Sequence, residues 1–170
     1  MTIRTTIYAT FNDPKLAKKA AEALLYRGIA SSDLSVIQSH LWDGLSEETM
    51  AGQRNGSARE VRVGAVGALE VLFVPGFGLV LGSGALASAI EAVAVTIGAG
   101  AAAAAMTGYL KNQGVERLYV SHYENAIQSG GAILGATLPS GAVDEGTAWV
   151  VLDKFAGMNV SSYISRTYVS

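Results

Sequence analysis

One stretch of the chain constrains its fold more than any other. Residues 64–112 are apolar and rich in glycine, and their charged residues are Glu70, Glu91 and Lys111 alone. The stretch also contains an unbroken alanine run at 101–105. A glycine inside a helix costs roughly 1 kcal/mol relative to alanine, so helices built from this stretch need compensating contacts. Small residues supply such contacts because they let helix backbones approach closely.

The stretch divides at Pro75-Gly76-Phe77-Gly78, which predicts a turn because proline breaks a helix and two glycines follow. We expect a short helix ending near Val74, a second near 79–92 and a third near 93–112. Small residues at four-residue spacing form the predicted packing face. Its members are Gly78, Gly82, Ala85, Ala89, Gly98 and Ala102.

Three partners for this small-residue face stay open: a helix of the same chain, a second subunit and a lipid bilayer. The uncharged run 71–90 is long enough to cross an apolar layer of about 30 Å. Pro75 near its start shortens the usable helix, and Glu91 at its end is expensive in lipid. A soluble helical hairpin is therefore the simplest interpretation.

The first forty residues predict a β-α-β unit. The strand alternates, with Ile3, Ile7, Ala9 and Phe11 on one face and Arg4, Thr6, Tyr8 and Thr10 on the other. A helix begins at Asn12-Asp13-Pro14, which combines a capping side chain with proline at the first helical position, and ends at Gly28. A second strand covers 34–37.

The C-terminal region repeats this plan after a helix at 116–128, whose predicted buried side comprises Leu118, Tyr119, Tyr123 and Ile127. A strand at 131–138, a helix at 143–155 and a strand at 160–169 follow. The inward side of the second helix should be Ala148, Val151, Leu152 and Phe155.

These patterns predict an α+β fold. It is a split ferredoxin-like β-α-β/β-α-β frame with a four-stranded antiparallel sheet and a long Gly/Ala-rich helical insert between the halves. The first half occupies 1–40, a polar loop 41–63, the insert 64–113, and a helix with the second half 114–170. One sheet face, marked by Tyr8, needs a cover, which either the insert or a second subunit must supply.

The composition limits the function classes. Only 15% of residues are charged, against about 25% in ordinary domains, and the net charge is −2. No basic surface for a nucleic acid is indicated. The absence of cysteine excludes disulfides and thiolate chemistry. The N-terminus lacks the pattern of a signal peptide, so we expect a cytoplasmic protein, with membrane association left open.

The titratable residues show no catalytic spacing. The histidines, His40 and His122, do not form a metal-ligand pair, and no nucleophile motif stands on a strand-turn-helix. We expect no catalytic residue, no cofactor and no bound metal. The alternative is a pocket for a small ligand, a metal or haem, which needs only one axial histidine. Its candidate residues are His40, Trp42, Tyr123 and His122.

Several short motifs resemble a known family. They are the turn Pro75-Gly76-Phe77-Gly78, the segment Gly114-Val115-Glu116, the pair Tyr123-Glu124, and the run 129–134 of sequence Ser-Gly-Gly-Ala-Ile-Leu. From about Ile7 to Val160 the chain resembles the bacterial general stress or heat-induced stress proteins with a glycine-zipper insert. It departs from that pattern at Glu116, where the family has proline.

The resemblance implies a role in stress responses and no assigned catalytic residues. Together with the small-residue face, it predicts a non-enzymatic scaffold that self-assembles into a homo-oligomer through glycine-zipper helices. The alternatives are a membrane-associated stress protein whose insert enters the bilayer and a small-ligand, metal or haem binding module.

Overall fold

A computed structural model describes residues 2–38, 59–63, 67–74, 78–82, 84–96 and 99–167. In this part of the chain one antiparallel sheet contains seven strands. They are β1 (Thr2–Phe11), β2 (Leu34–Gln38), β3 (Arg59–Val63), β4 (Gly67–Val74), β5 (Gly78–Gly82), β6 (Ala132–Leu138) and β7 (Met158–Thr167).

Within the described residues, five α-helices accompany the sheet. They are α1 (Pro14–Tyr26), α2 (Ala85–Thr96), α3 (Ala99–Asn112), α4 (Arg117–Gln128) and α5 (Glu145–Lys154), and a single 3₁₀ turn spans Ser31–Asp33. The expected start of α1 is confirmed, because Asp13 accepts a hydrogen bond from the Lys15 N–H, whereas α5 begins at Glu145, two residues later than expected. Asp144 likewise accepts one from the Thr147 N–H at 2.7 Å. Each carboxylate satisfies a backbone donor that the first helical turn leaves open.

The sheet order is β3-β4-β5-β2-β6-β1-β7. The α+β class and the antiparallel pairing are therefore confirmed, whereas the expected number of four strands is wrong. The strands of the two terminal halves lie next to each other as β2-β6-β1-β7. The additional strands β3, β4 and β5 extend the sheet from the far edge of β2.

These three strands correct the helices expected at 64–84. Segment 67–74 pairs with 78–82, and the latter pairs with β2 in a register that sets Val36 opposite Leu81. A short apolar run looks alike in sequence whether it is a buried strand or a buried helix. Pairing prevailed here because the edge of β2 would otherwise leave backbone groups unsatisfied. The last five residues of the expected 41–63 loop also form β3, and residues 39–58 lie outside the described part.

Helices cover both faces of the sheet. α1 and α5 pack on the face that carries Ile7, Ala9 and Phe11, as the alternation in β1 predicted. Their buried side chains comprise Ala17, Ala20, Ala21, Leu24, Ala148, Val151 and Leu152. This layer forms the first hydrophobic core.

α2, α3 and α4 form the second layer, over the face that carries Tyr8. Their buried side chains include Leu86, Ala87, Ile90, Met106, Leu110, Val120 and Tyr123. The sheet face that carries Tyr8 is thus covered by helices of the same chain. Of the two covers expected, the insert and a second subunit, the insert supplies this one together with α4. In α4 the expected burial of Leu118 is wrong, since it is 65% exposed and Val120 is buried in its place.

No helix within the described residues has the length and apolar character needed to cross a membrane.

Candidate functional site

The centre of the second core is a group of tyrosines that we call the tyrosine cluster: Tyr8, Tyr109, Tyr123 and Tyr163. The side chain of Tyr8 is 0% exposed. Its ring centroid lies 6.1 Å from that of Tyr123 and also 6.1 Å from that of Tyr163, with the rings tilted in both pairs. Tilted aromatic pairs at this distance are favourable beyond their burial. The cluster thereby joins β1, α3, α4 and β7.

The sequence makes room for this cluster at one glycine. Gly135 of β6 lies opposite Tyr8 of β1. A Cβ atom at Gly135 would approach the Tyr8 ring to about 3.0 Å, which is closer than ordinary contact. A glycine inside a strand commonly marks such a close approach. Gly135 therefore lets the Tyr8 ring lie flat against the sheet.

Tyr123 is the hydrogen-bonding member of the cluster. Its hydroxyl donates to the backbone carbonyl of Asn159 at 3.2 Å and lies 2.6 Å from the hydroxyl of Ser161. Tyr123 comes from α4, whereas both partners belong to β7. The side chain therefore fixes the start of an edge strand to the second helical layer.

Burial suppresses the ionisation of Tyr8, Tyr109 and Tyr123. Loss of solvent raises the pKa of Tyr8, and the neighbouring phenols of Tyr109, Tyr123 and Tyr163 raise it further. Loss of solvent also raises the pKa of Tyr123, partly offset by the hydrogen bond with Ser161, and it raises that of Tyr109. These phenols are neutral at pH 7. A general acid or base works best with a pKa near the operating pH, so the cluster is poorly suited to proton transfer.

The Tyr8 hydroxyl is a buried polar group with little compensation. It interacts with the Tyr109 phenol, but it forms no hydrogen bond of standard geometry with the residues that the structure describes. An unsatisfied buried hydroxyl costs about 1–3 kcal/mol and calls for an explanation. Sequence reasoning placed Tyr8 on the correct face but missed its role as the centre of a cluster. The available signal was the placement of Tyr8 on the sheet face that needs a cover and of Tyr123 on the predicted buried side of its helix, which does not show that the two rings meet.

The predicted ligand residues are only partly brought together. Tyr123 is buried in the cluster, while His122, next to it on α4, is half-buried with its ring 6.4 Å from that of Tyr119. Neighbouring helical residues point in different directions, so His122 and Tyr123 do not line one pocket. His40 and Trp42 lie outside the described residues.

The six predicted packing residues do not form one helical face. Gly78 and Gly82 lie in β5, Ala85 and Ala89 in α2 and Ala102 in α3, while Gly98 lies outside the described residues. Gly82 has φ +89°, and a Cβ atom there would overlap the backbone carbonyl of Leu34. Its small size therefore serves the contact between β5 and the start of β2.

A second group of polar contacts connects β1 to the segments around Asp33 and Ser140. Arg4 and Asp33 form an ion pair with 2.8 Å between the charged atoms. The Ser140 hydroxyl donates to the Asp33 carboxylate at 2.7 Å and accepts from the Ala30 N–H at 2.9 Å. Because each of these groups has a partner, the arrangement connects β1 to two loops. These side chains therefore serve the fold and are poorly placed to act on a substrate. No local sequence pattern indicates this long-range contact.

Two open depressions lie along the outer surface between α1 and α5. One, of about 470 Å³, has Arg27, Thr147 and Val150 in its lining. The other, of about 390 Å³, has Tyr26 and Lys154 in its lining. Both are shallow and open to solvent, so they differ from the enclosed sites that bury small ligands.

Within the described ranges, the side chains of His, Asp and Glu do not form a group of three or more that could hold a metal ion. No protein-family model, curated protein or solved structure matches this chain.

Proposed function

We propose that this protein is a non-enzymatic scaffold of the bacterial stress response that works as a homo-oligomer. The observation that carries the proposal is the exposure of large apolar side chains on an ordered surface. Four of them lie on α5 or β7, which pack against each other: Trp149, Val150, Met158 and Ile164. Exposed apolar surface that is grouped commonly marks a contact with another macromolecule.

The low charge of the chain supports self-association in particular. With 15% charged residues and a net charge of −2, two copies repel each other weakly. Most soluble oligomers are symmetric assemblies of one chain, so a second copy is the first partner to consider.

This proposal restricts the predicted glycine-zipper assembly to the outer side of α2 and α3. α2 and α3 contact each other and bury one side against the sheet. Their outer side still consists of small residues. Ala85, Ser88, Ala92 and Ala104 are exposed there, and a Cβ atom at Gly108 would meet open space. Helices of two copies could approach closely there. We also propose that the frame β2-β6-β1-β7, with α1 and α5 on one face, is a split ferredoxin-like unit extended by β3, β4 and β5.

The test is the native mass of the purified protein, measured by light scattering with and without mild detergent. The proposal predicts a discrete multiple of 17.6 kDa without detergent. A monomer across the accessible concentrations would contradict it. Aggregates that only detergent resolves would instead favour the membrane-associated alternative.

The buried Tyr8 hydroxyl favours a second candidate function, a small-ligand binding module whose ligand would complete that hydrogen bond. Elemental analysis and an absorption spectrum of the purified protein test its metal and haem versions. A coloured or metal-loaded sample supports it, and a colourless, metal-free sample counts against those two ligands.

A further inference from the structure

The strand at one end of the sheet has an open side. Among the described strands β7 pairs only with β1. The pairing is regular over seven successive positions, from Thr2 opposite Thr167 to Tyr8 opposite Ser161. Every second residue of such a strand directs its backbone N–H and C=O groups away from the sheet. β7 thus presents a row of hydrogen-bonding groups along its outer side.

Most of β7 lacks the protections that edge strands usually have, because its charged residue, Arg166, stands near the end of the strand. Residues 158–165 include no charged residue and no proline. The strand at the opposite end, β3, has Arg59, Glu60 and Arg62 among its five residues. Charges and prolines on edge strands discourage pairing with another chain.

One irregularity protects only the beginning of β7. The pairing with β1 shifts between Tyr8 and Thr10, and Asn159 adopts a left-handed backbone with φ 51°. A bulge of this kind twists an edge strand away from regular pairing. The regular part of the outer edge therefore begins after Asn159.

Apolar side chains flank this regular part on the side of the first core. Ile164 lies opposite Thr5 on the face that carries Ile7, and it is 64% exposed. α5 packs over β1 and β7, while α1 packs over β1, β2 and β6. A single exposed isoleucine is ordinary on a protein surface, so Ile164 points to a contact only in combination with the open strand edge and further apolar side chains beside it.

Trp149 extends this apolar surface. Val150 and Thr147 of α5 share the surface depression with Arg27 just after α1, so they mark the flank of α5 that faces α1. Helical spacing of about 100° per residue puts Trp149 on the other flank, above β7. Trp149 is 39% exposed. The edge of β7 and the two side chains Ile164 and Trp149 together form what we call the β7 surface.

We propose that the β7 surface is an interface at which β7 pairs antiparallel with β7 of a second copy of this chain. The proposal rests on the proposed function, because it names one contact by which the scaffold would associate, separate from the outer side of α2 and α3. An antiparallel pair of identical strands is related by a two-fold axis, so each edge satisfies the other and the assembly closes as a dimer. Because the paired segment 160–165 is uncharged, no like charges meet across the axis. The dimer has one continuous sheet, with Ile164 and Trp149 removed from water beside the joint.

The direct test compares three proteins by sedimentation equilibrium: the wild type, Ile164→Lys and Leu118→Lys. The two replaced side chains are almost equally exposed, at 64% and 65%, but Leu118 belongs to α4, which packs on the opposite face of the sheet from Ile164. We expect a wild-type mass of twice 17.6 kDa. We expect Ile164→Lys to weaken the dimer at least ten-fold, because it puts two ammonium groups beside the axis, and Leu118→Lys to leave the mass unchanged. Circular dichroism checks that each variant is folded.

A cross-linking experiment gives an independent readout. The chain has no cysteine, so a single introduced cysteine can link only one copy to another. Ser162 is exposed on the regular part of β7, and Ser121 is exposed on α4. We expect a short bis-maleimide to produce covalent dimers of Ser162→Cys at protein concentrations that leave Ser121→Cys uncoupled.

The outcomes separate the interface from the function. A wild-type oligomer that tolerates Ile164→Lys and fails to cross-link through Ser162→Cys overturns the β7 interface but leaves the scaffold proposal standing. A wild-type monomer overturns both. A dimer that Ile164→Lys dissociates supports both.

Discussion

The hydroxyl of Tyr123 lies 2.6 Å from the hydroxyl of Ser161, and this contact connects helix α4 to the edge strand β7. The same Tyr123 ring packs against Tyr8 at the centre of the sheet. A single side chain thus links the edge strand, the central strand and the second helical layer. The position of the proposed dimer surface therefore depends on an interaction buried behind it.

Replacing Tyr123 by phenylalanine should lower the free energy of unfolding by about 1–2 kcal/mol. The ring stays, but Ser161 and the Asn159 carbonyl lose a partner in a partly buried place. Urea denaturation followed by circular dichroism measures the change. Tyr26→Phe is the matched control, since Tyr26 is 83% exposed and its substitution should stay within about 0.5 kcal/mol of the wild type. Equal stabilities of the two variants would show that the hydrogen bonds contribute nothing.

Two glycine-to-alanine substitutions should change the stability of the protein in opposite directions. Gly82→Ala should destabilise by about 2–4 kcal/mol, because the backbone at Gly82 is left-handed and a Cβ atom would overlap Leu34. Gly108→Ala should stabilise by about 0.5–1 kcal/mol, since Gly108 lies inside α3 and its Cβ position is open. Thermal denaturation of both variants gives the sign directly. A neutral Gly82→Ala would contradict the contact between β5 and β2.

Replacing Ser140 by alanine should destabilise by about 1–3 kcal/mol. The Ala30 N–H would lose its acceptor in a partly buried hydrogen bond, and Asp33 would lose one donor. Ser121→Ala removes a hydroxyl that bonds only to the Arg117 carbonyl on an exposed surface, so it should be nearly neutral. Chemical denaturation of the two variants measures the difference in their stability. The difference would be zero if the hydrogen bonds of Ser140 did not stabilise the protein.

The tyrosine cluster should make the protein sensitive to alkali. The pKa values of Tyr8 and Tyr123 are raised in the folded protein above the ordinary value of 10.0. Their contribution to stability is complete below pH 10.0 and declines as the pH rises above it, because only the unfolded chain ionises readily there. Ultraviolet titration should show these phenols ionising together with unfolding.

The variant Tyr8→Phe should keep more of its neutral-pH stability at high pH than the wild type does. If all seven tyrosines instead ionised near pH 10 without loss of circular dichroism, the phenols would not be buried as described.

The terminal halves of the fold were predictable because local signals there agree with the tertiary structure. Asp13 and Pro14 mark the start of α1, and Gly28, with φ 105°, marks its end. The alternation in β1 also assigned its two faces correctly. Element ends differ by about two residues, as in β7, which begins at Met158 and not at Val160.

The middle of the chain was not predictable from the same signals. Gly67–Val74 and Gly78–Gly82 are short apolar runs around Pro75, and this pattern fits a β-hairpin with a glycine-containing loop as well as two helices. The valines and Phe73 favoured strands, but the glycine spacing suggested helix packing. The deciding factor was the open edge of β2, which local sequence does not contain.

The candidate site was harder still, because its contacts join distant positions. Tyr8, Tyr109, Tyr123 and Tyr163 come from four elements, and Ser140 meets Asp33 only after the two terminal halves associate. A pattern within one helix or strand cannot reveal such pairs.

The most direct test of the central claim, that this chain is a self-associating scaffold, is the mass of the wild-type protein by sedimentation velocity over a wide concentration range. A dominant species of twice 17.6 kDa, persisting on dilution and without detergent, is the predicted result. A single species of 17.6 kDa at every concentration would contradict the claim.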